Sequence, residues 1–177
     1  MQRPPETHPT SDAASLRGSI IMTRASSERV DSIRPFLKWA GGKRQLLPHI
    51  LKHVPATFGQ YYEPFVGAGA LFFHTCPRPA VVADNNERLI RTYRGLRDHP
   101  QEVVRLLRKY PHDKSFFLEL RASDIDNKND AEVAAWLIYL NKTGYNGLYR
   151  VNSKNEFNVP FGRYKKPNIC DEPRLLA

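Results

Sequence analysis

The chain has 177 residues and 41% hydrophobic content, which suits one domain, or a large part of one, with a core of its own. A net charge of +9 and a pI near 9.7 point to a polyanionic partner, and the lack of any apolar run of about 18 residues excludes a spanning helix, so nucleic acid is favoured over a membrane. Cys76 and Cys170 are the only cysteines, which excludes a disulfide framework and a four-cysteine zinc site and leads us to expect a reducing cytoplasm.

In chain order, the first 34 residues hold five bases and four acids among Ser, Thr, Pro and Ala, without sustained apolar periodicity. That composition predicts a disordered extension. Its run Gly18 to Met22 is too short and polar for a secretory signal, and Met22 offers an alternative start. From Phe36 a short apolar run ends at Gly41-Gly42-Lys43. Leu46, Leu47, Ile50, Leu51 and Val54 then predict an amphipathic helix with Pro48 in its first turn, where a missing N–H costs nothing. Residues 60 to 65 predict a strand feeding the turn Val66-Gly67-Ala68-Gly69-Ala70, and Leu71-Phe72-Phe73 open a helix. Ala80 to Ala83 form a second short buried strand ending on Asp84, followed by helical spacing through Leu89, Ile90, Tyr93 and Leu96. Two such units in succession imply a parallel sheet.

An all-helical insert is expected next. Pro100 opens a helix through Val103, Val104, Leu107 and Tyr110, and Phe116, Phe117 and Leu120 mark another piece. Asn129 with Glu132 makes a capping box for Ala131 to Leu140, apolar on every side and therefore buried. This helix delivers the chain into a basic loop. Lys142, Arg150, Lys154, Arg163, Lys165 and Lys166 stand there against the single acid Glu156, so the window supplies +5 of the total charge of +9. Tyr145, Tyr149, Phe157, Phe161 and Tyr164 are interleaved with them. Cations neutralise phosphates, and flat rings stack on or wedge between bases. Gly144 and Gly147 break the secondary structure that would bury these rings, so the rings are expected at the surface; the alternative is a solvated basic loop with its rings tucked into a core. His49 and His53 are four apart, but Ile50 stands where a zinc protease motif has Glu, so both belong on the surface and no metal is expected.

A strand that ends in glycines lets a ligand approach the backbone, and a second strand ending in an acid can hold ribose hydroxyls. Gly67, Gly69 and Asp84 have this arrangement. A dinucleotide fingerprint would want a small residue at Phe72, and a P-loop would want glycine at Leu37 and Ser or Thr at Arg44. S-adenosylmethionine, which has an adenosine but no phosphates, remains. Phe36 to Lys43, Glu63 to Gly69, Asp84-Asn85-Asn86 and Gly144 to Arg150 together resemble the motifs of Dam-type DNA adenine N6-methyltransferases, in the same order, over roughly residues 35 to 177.

The resemblance implies an α/β, Rossmann-like S-adenosylmethionine-dependent methyltransferase fold with an inserted helical DNA-recognition domain, acting as a monomer on adenine in duplex DNA, typically in GATC. The domains would then be an extension over 1–34, the first part of the catalytic domain over 35–98, the recognition domain over 99–166, and a return to the catalytic domain over 167–177. Trp39, Lys43, Phe65, Gly67, Gly69 and Asp84 match cofactor positions; Trp39 could instead be ordinary core packing, and Asp84 a helix N-cap. Lys38, Tyr145, Asn146, Leu148, Arg150, Pro160 and Tyr164 match DNA-side positions, with Tyr145 as an inserted ring and Asn146, Leu148 and Arg150 as base readers. Arg163, Lys165 and Lys166 fit phosphate contacts. The family's Asp-Pro-Pro-Tyr signature is not found: in Asn158-Val159-Pro160-Phe161 the first proline is replaced, and Asp171-Glu172-Pro173-Arg174 lacks the second proline and the ring. A truncated, marginally stable, noncatalytic DNA-binding fragment of such an enzyme is the alternative expectation.

Overall fold

In the computed structural model, residues 19–22 and 33–177 are described. Strand β2 (Tyr61–Glu63) pairs in parallel with β3 (Ala80–Ala83), Tyr61 opposite Ala80 and Glu63 opposite Val82. The parallel pairing follows from the two strand-turn-helix units. The inward side chains of β3, Ala80 and Val82, have no exposed surface, as a central strand requires. Its other flank is taken by β1 (Ser19–Met22), which runs antiparallel with Ser19 opposite Ala83, giving the order β1-β3-β2.

This strand corrects one expectation. Ser19–Met22 falls within the segment expected to be disordered, yet it forms a regular ladder, because the pairing groups are supplied by β3, far along the chain. The rest of the expected extension, up to residue 32, lies outside the described residues.

The amphipathic helix expected after Lys43 is broken into three pieces: a 3₁₀ turn (Lys43–Leu46), α1 (Leu47–Ile50) and a second 3₁₀ turn (Leu51–His53). Pro48 sits in the first turn of α1, as expected. None of these residues is buried, so no core face rewards a longer regular helix. Further helices are α2 (Ala70–Thr75), α3 (Glu87–Asp98), α4 (Pro100–Leu107), α5 (Lys114–Ala122), α6 (Asp130–Thr143) and α7 (Glu172–Leu176).

Helix α6 is the axis of the core. Its capping box is complete: the Asn129 side chain accepts from Glu132 N–H at 2.9 Å, and the Glu132 carboxylate accepts from Asn129 N–H at 3.1 Å. Every side chain from Val133 to Leu140 is buried. Trp136 fills the largest share, and its indole N–H donates to Leu120 O at 2.8 Å. Helix α3 lies against α6 at close range because of Gly95, where a Cβ would come within 2.3 Å of Asp130 O. The boundary expected between residues 98 and 99 falls between α3 and α4, and a single cluster from Phe36 and Val82 through Tyr93 to Trp136 and Phe157 runs across it.

Candidate functional site

The two βα turns are stitched together by Asp84. Its carboxylate accepts from Gly67 N–H and from Asn86 N–H, each at 3.0 Å, while Val66 N–H donates to Ala83 O at 2.9 Å. The N-cap of α3 is Asn86, whose side chain accepts from Leu89 N–H, so the capping role considered for Asp84 belongs to its neighbour. A carboxylate has about four acceptor sites, which leaves Asp84 capacity for ligand hydroxyls.

Gly67 has φ +52, and a Cβ there would lie 3.1 Å from Cδ1 of Trp39, so the glycine lets the indole lie against the turn. Tyr93 O–H donates to Gly67 O at 2.9 Å; burial pushes this phenol well above its ordinary range, with the charges of Glu63 and Asp84 adding to the shift. Lys43 donates to Phe65 O at 2.8 Å and stands 3.5 Å from a carboxylate oxygen of Glu63. Glu63 is only 7% exposed and accepts from Tyr61 O–H at 2.7 Å, so the buried charge has two partners. Burial, then that hydrogen bond, raises the Tyr61 phenol above its ordinary range.

Trp39, Lys43, Phe65, Gly67 and Asp84 all line one cavity of about 260 Å³. Five of the six residues assigned to cofactor binding from sequence are thus brought together. Gly69 is set back: it caps α2 at φ +72, with room for no side chain before Tyr93 and Phe73. Glu63 was missed as an individual residue; an acid ending a buried strand beside a lysine-bearing loop was the available signal. A larger cavity of about 500 Å³, lined by Phe36, Phe73, Leu96 and Leu175 among others, contains none of the residues assigned to cofactor or DNA binding from sequence.

Beyond α6 the chain runs out and back as an irregular hairpin. Gly162 N–H donates to Thr143 O, Tyr145 N–H to Pro160 O and Asn158 N–H to Arg150 O, at 2.8 to 3.0 Å, and the chain reverses near Asn155 at φ 60. The short turn Tyr145–Gly147 holds Asn146 at φ 54, a conformation asparagine tolerates better than most residues. Lys38, Tyr145, Asn146, Leu148, Arg150, Pro160, Arg163, Lys165 and Lys166 are all exposed, and Tyr164 is half-buried. The Arg150 guanidinium donates to Asn158 Oδ1 at 2.7 Å and to Asn158 O at 3.2 Å, which fixes its direction.

Four of the five rings in this loop depart from expectation. Only Tyr145 is exposed, at 51%. Phe157 is buried edge-on against Trp136 at 5.7 Å, Phe161 packs on Phe117 at 5.2 Å, and Tyr149 and Tyr164 are half-buried. The returning strand lies over α5 and α6, anchored by Arg121 to Val159 O at 3.2 Å. A glycine permits the close approach on the returning side: a Cβ on Gly162 would come within 2.8 Å of Thr143 O. Lys142 is half-buried as well, and burial followed by Arg174 holds its ammonium below the ordinary lysine range.

Cavity and loop are contiguous. Tyr149 stacks on Trp39 with ring centres 5.1 Å apart and planes 25° from parallel. Lys38 lies over the Tyr164 ring at 5.3 Å, with its ammonium 3.4 Å from the hydroxyl.

The model of D12 class N6 adenine-specific DNA methyltransferases matches residues 39–177, which include every element of this site except Lys38. The chain belongs to this family. It is 48% identical over 147 residues to the type II methyltransferase M1.LlaDCHI of Lactococcus lactis subsp. cremoris, covering 80% of this chain and 52% of the relative. It is 39% identical over 164 residues to the type II methyltransferase M.MjaIII of Methanocaldococcus jannaschii, covering 81% and 57%. It is 41% identical over 139 residues to the DNA adenine methylase of Escherichia coli, covering 76% and 49%. The chain therefore spans about half the length of these curated relatives. Its helices and small sheet, with the β2–β3 pair parallel, agree with the α/β fold of S-adenosylmethionine-dependent methyltransferases. Among the described residues of this D12-class chain, no helix is long and apolar enough to cross a membrane, and no three His, Cys, Asp or Glu side chains gather to hold a metal ion.

Proposed function

We propose that this chain carries the S-adenosylmethionine pocket and the target-recognition surface of a methyltransferase that modifies N6 of adenine in duplex DNA, within GATC. The observation that carries this reading is the contiguity of the Trp39–Asp84 cavity with the exposed Tyr145–Arg150 turn through the Trp39–Tyr149 stack.

The donor set suits the cofactor. Trp39 lines the cavity beside the adenosine and methionine portions, Asp84 accepts from ribose hydroxyls, and Lys43, its charge offset by the buried Glu63, faces the polar end of the ligand. When bound, S-adenosylmethionine supplies a methyl group activated by a sulfonium. On the DNA side, Arg150 can donate twice to guanine, Asn146 can bridge adenine and Leu148 can contact a thymine methyl. Tyr145 is the ring free to enter between base steps, while Arg163, Lys165 and Lys166 neutralise phosphates and Lys38 reaches the duplex beside Tyr164. Pro160 receives the Tyr145 N–H and so sets the turn. Residues 99–166 act as an inserted recognition domain on a catalytic-domain portion over 35–98. The protein works as a cytoplasmic monomer. No residue of this chain is assigned to contact the target nitrogen.

The test is equilibrium binding of S-adenosylhomocysteine and of GATC duplexes, with scrambled duplex and RNA as competitors. The reading requires saturable cofactor binding weakened by Asp84→Asn and a preference for GATC duplex; indifference to Asp84→Asn, or preference for RNA, overturns it. Transfer of tritium from labelled S-adenosylmethionine to the duplex then separates an active enzyme from a noncatalytic DNA-binding piece.

A further inference from the structure

Asn141 lies in the last turn of α6, 4% exposed, between the two halves of the site. Its side-chain oxygen accepts from Lys38 N–H at 2.9 Å, and its amide nitrogen donates to Lys38 O at 2.8 Å and to Gly147 O at 2.7 Å. All three bonds go to backbone. One partner segment carries Lys38 and Trp39; the other is the turn carrying Asn146 and Leu148. The turn lies close against Lys38 here, since a Cβ on Gly147, at φ +64, would come within 2.6 Å of the Lys38 side chain. A carboxamide is the short side chain with one acceptor and two donors, so it can serve both strands at once.

We propose that Asn141 is a positioning residue that couples the two ligands: it locks the base-reading turn to the segment bearing Trp39, so that cofactor binding raises DNA affinity, and DNA binding raises cofactor affinity by the same factor. This rests on the functional reading above. A ligand against Trp39 restrains residues 38–43, Asn141 passes that restraint to Gly147, and the reciprocal effect follows from thermodynamic linkage.

The coupling is measured on the full 177-residue chain as the ratio of GATC duplex affinity with and without saturating S-adenosylhomocysteine. The wild type is expected to bind about fivefold tighter or more with the cofactor product present. Asn141→Asp keeps the size and the acceptor but turns an oxygen toward two carbonyl oxygens, and its ratio should fall to about one while each ligand still binds by itself. A folded Asn141→Asp protein that keeps the wild-type ratio overturns the proposal, as does a wild type with no coupling. Hydrogen exchange on the wild type gives a second measurement independent of any variant: cofactor product alone should slow exchange at 144–150, and duplex alone at 36–43. Absence of either effect also overturns it. A wild type that binds neither ligand refutes the functional reading itself, an outcome distinct from binding without coupling.

Discussion

Gly67→Ala tests whether the glycine turn serves the cofactor site by making room for Trp39. Gly67 and Gly41 both line the cavity and both have positive φ, +52 and +70, so an alanine at either costs about 1 to 2 kcal/mol of backbone strain. They differ in one respect. A Cβ at Gly67 meets Trp39 Cδ1 at 3.1 Å, whereas at Gly41 nothing lies within 4 Å. Relieving that contact moves the indole by a few tenths of an ångström, and the indole is also held by its stack with Tyr149 at 5.1 Å. Both variants should lose comparable stability in urea unfolding. Affinity for S-adenosylhomocysteine, read by titration calorimetry, should fall about tenfold in Gly67→Ala, or ~1.4 kcal/mol, and by no more than about twofold in Gly41→Ala. Equal losses in the two variants would refute the argument that the indole position is what Gly67 protects.

Three further outcomes are expected. Asp126 accepts two 2.7 Å bonds from the buried Arg88, and these bonds hold its carboxyl below the ordinary carboxylate range. A depressed pKa gives stability that is fully present above the unfolded value, near 3.9, and is lost as pH falls through the folded one. The gap between wild type and Asp126→Asn in unfolding free energy should therefore be about 1 kcal/mol at pH 7, modest because the Asp126 side chain is 53% exposed, and should close in acid. Trp136→Ala should cost about 3 to 5 kcal/mol and lower Tm by roughly 10 °C in calorimetry, since the indole is 1% exposed and its N–H is bonded. Arg163→Gln with Lys165→Gln should weaken GATC and scrambled duplexes alike and reduce the salt slope of binding by about two, whereas Arg150→Ala should chiefly relax sequence preference.

The elements legible in the sequence were those whose signal is local. The Asn129–Glu132 box, the evenly apolar α6 and the two βα units each occupy one short window, and each is found as expected. What was not legible depends on partners distant in sequence. Ser19–Met22 becomes a strand only because β3 has a flank to offer. The rings at Phe157 and Phe161 looked like part of a surface pattern, but the returning strand carries them onto Trp136 and Phe117. Glu63 stands inside a motif that was noticed and Asn141 between an expected helix and the basic loop, yet their roles are set by other residues: Lys43 and Tyr61 for one, Lys38 and Gly147 for the other. The residues of the cavity converge because each sits at the carboxyl end of a strand or on the loop that crosses it, which is where a parallel sheet gathers side chains.

The antiparallel ribbon made by Ser19–Met22 leaves Ala80–Ala83 paired on both sides and moves the free edges of the sheet outward. It covers one flank of Ala80–Ala83, so the edges of the described sheet are its own outer side and that of Tyr61–Glu63, where Tyr62 stands 64% exposed and Phe65 follows at 73%. A neighbour laid in parallel alongside Tyr61–Glu63 would finish next to Glu63 and Lys43, beside the Trp39 cavity. Extending the ladder and walling in the ligand would then be one event, so assembly and affinity would rise or fall together.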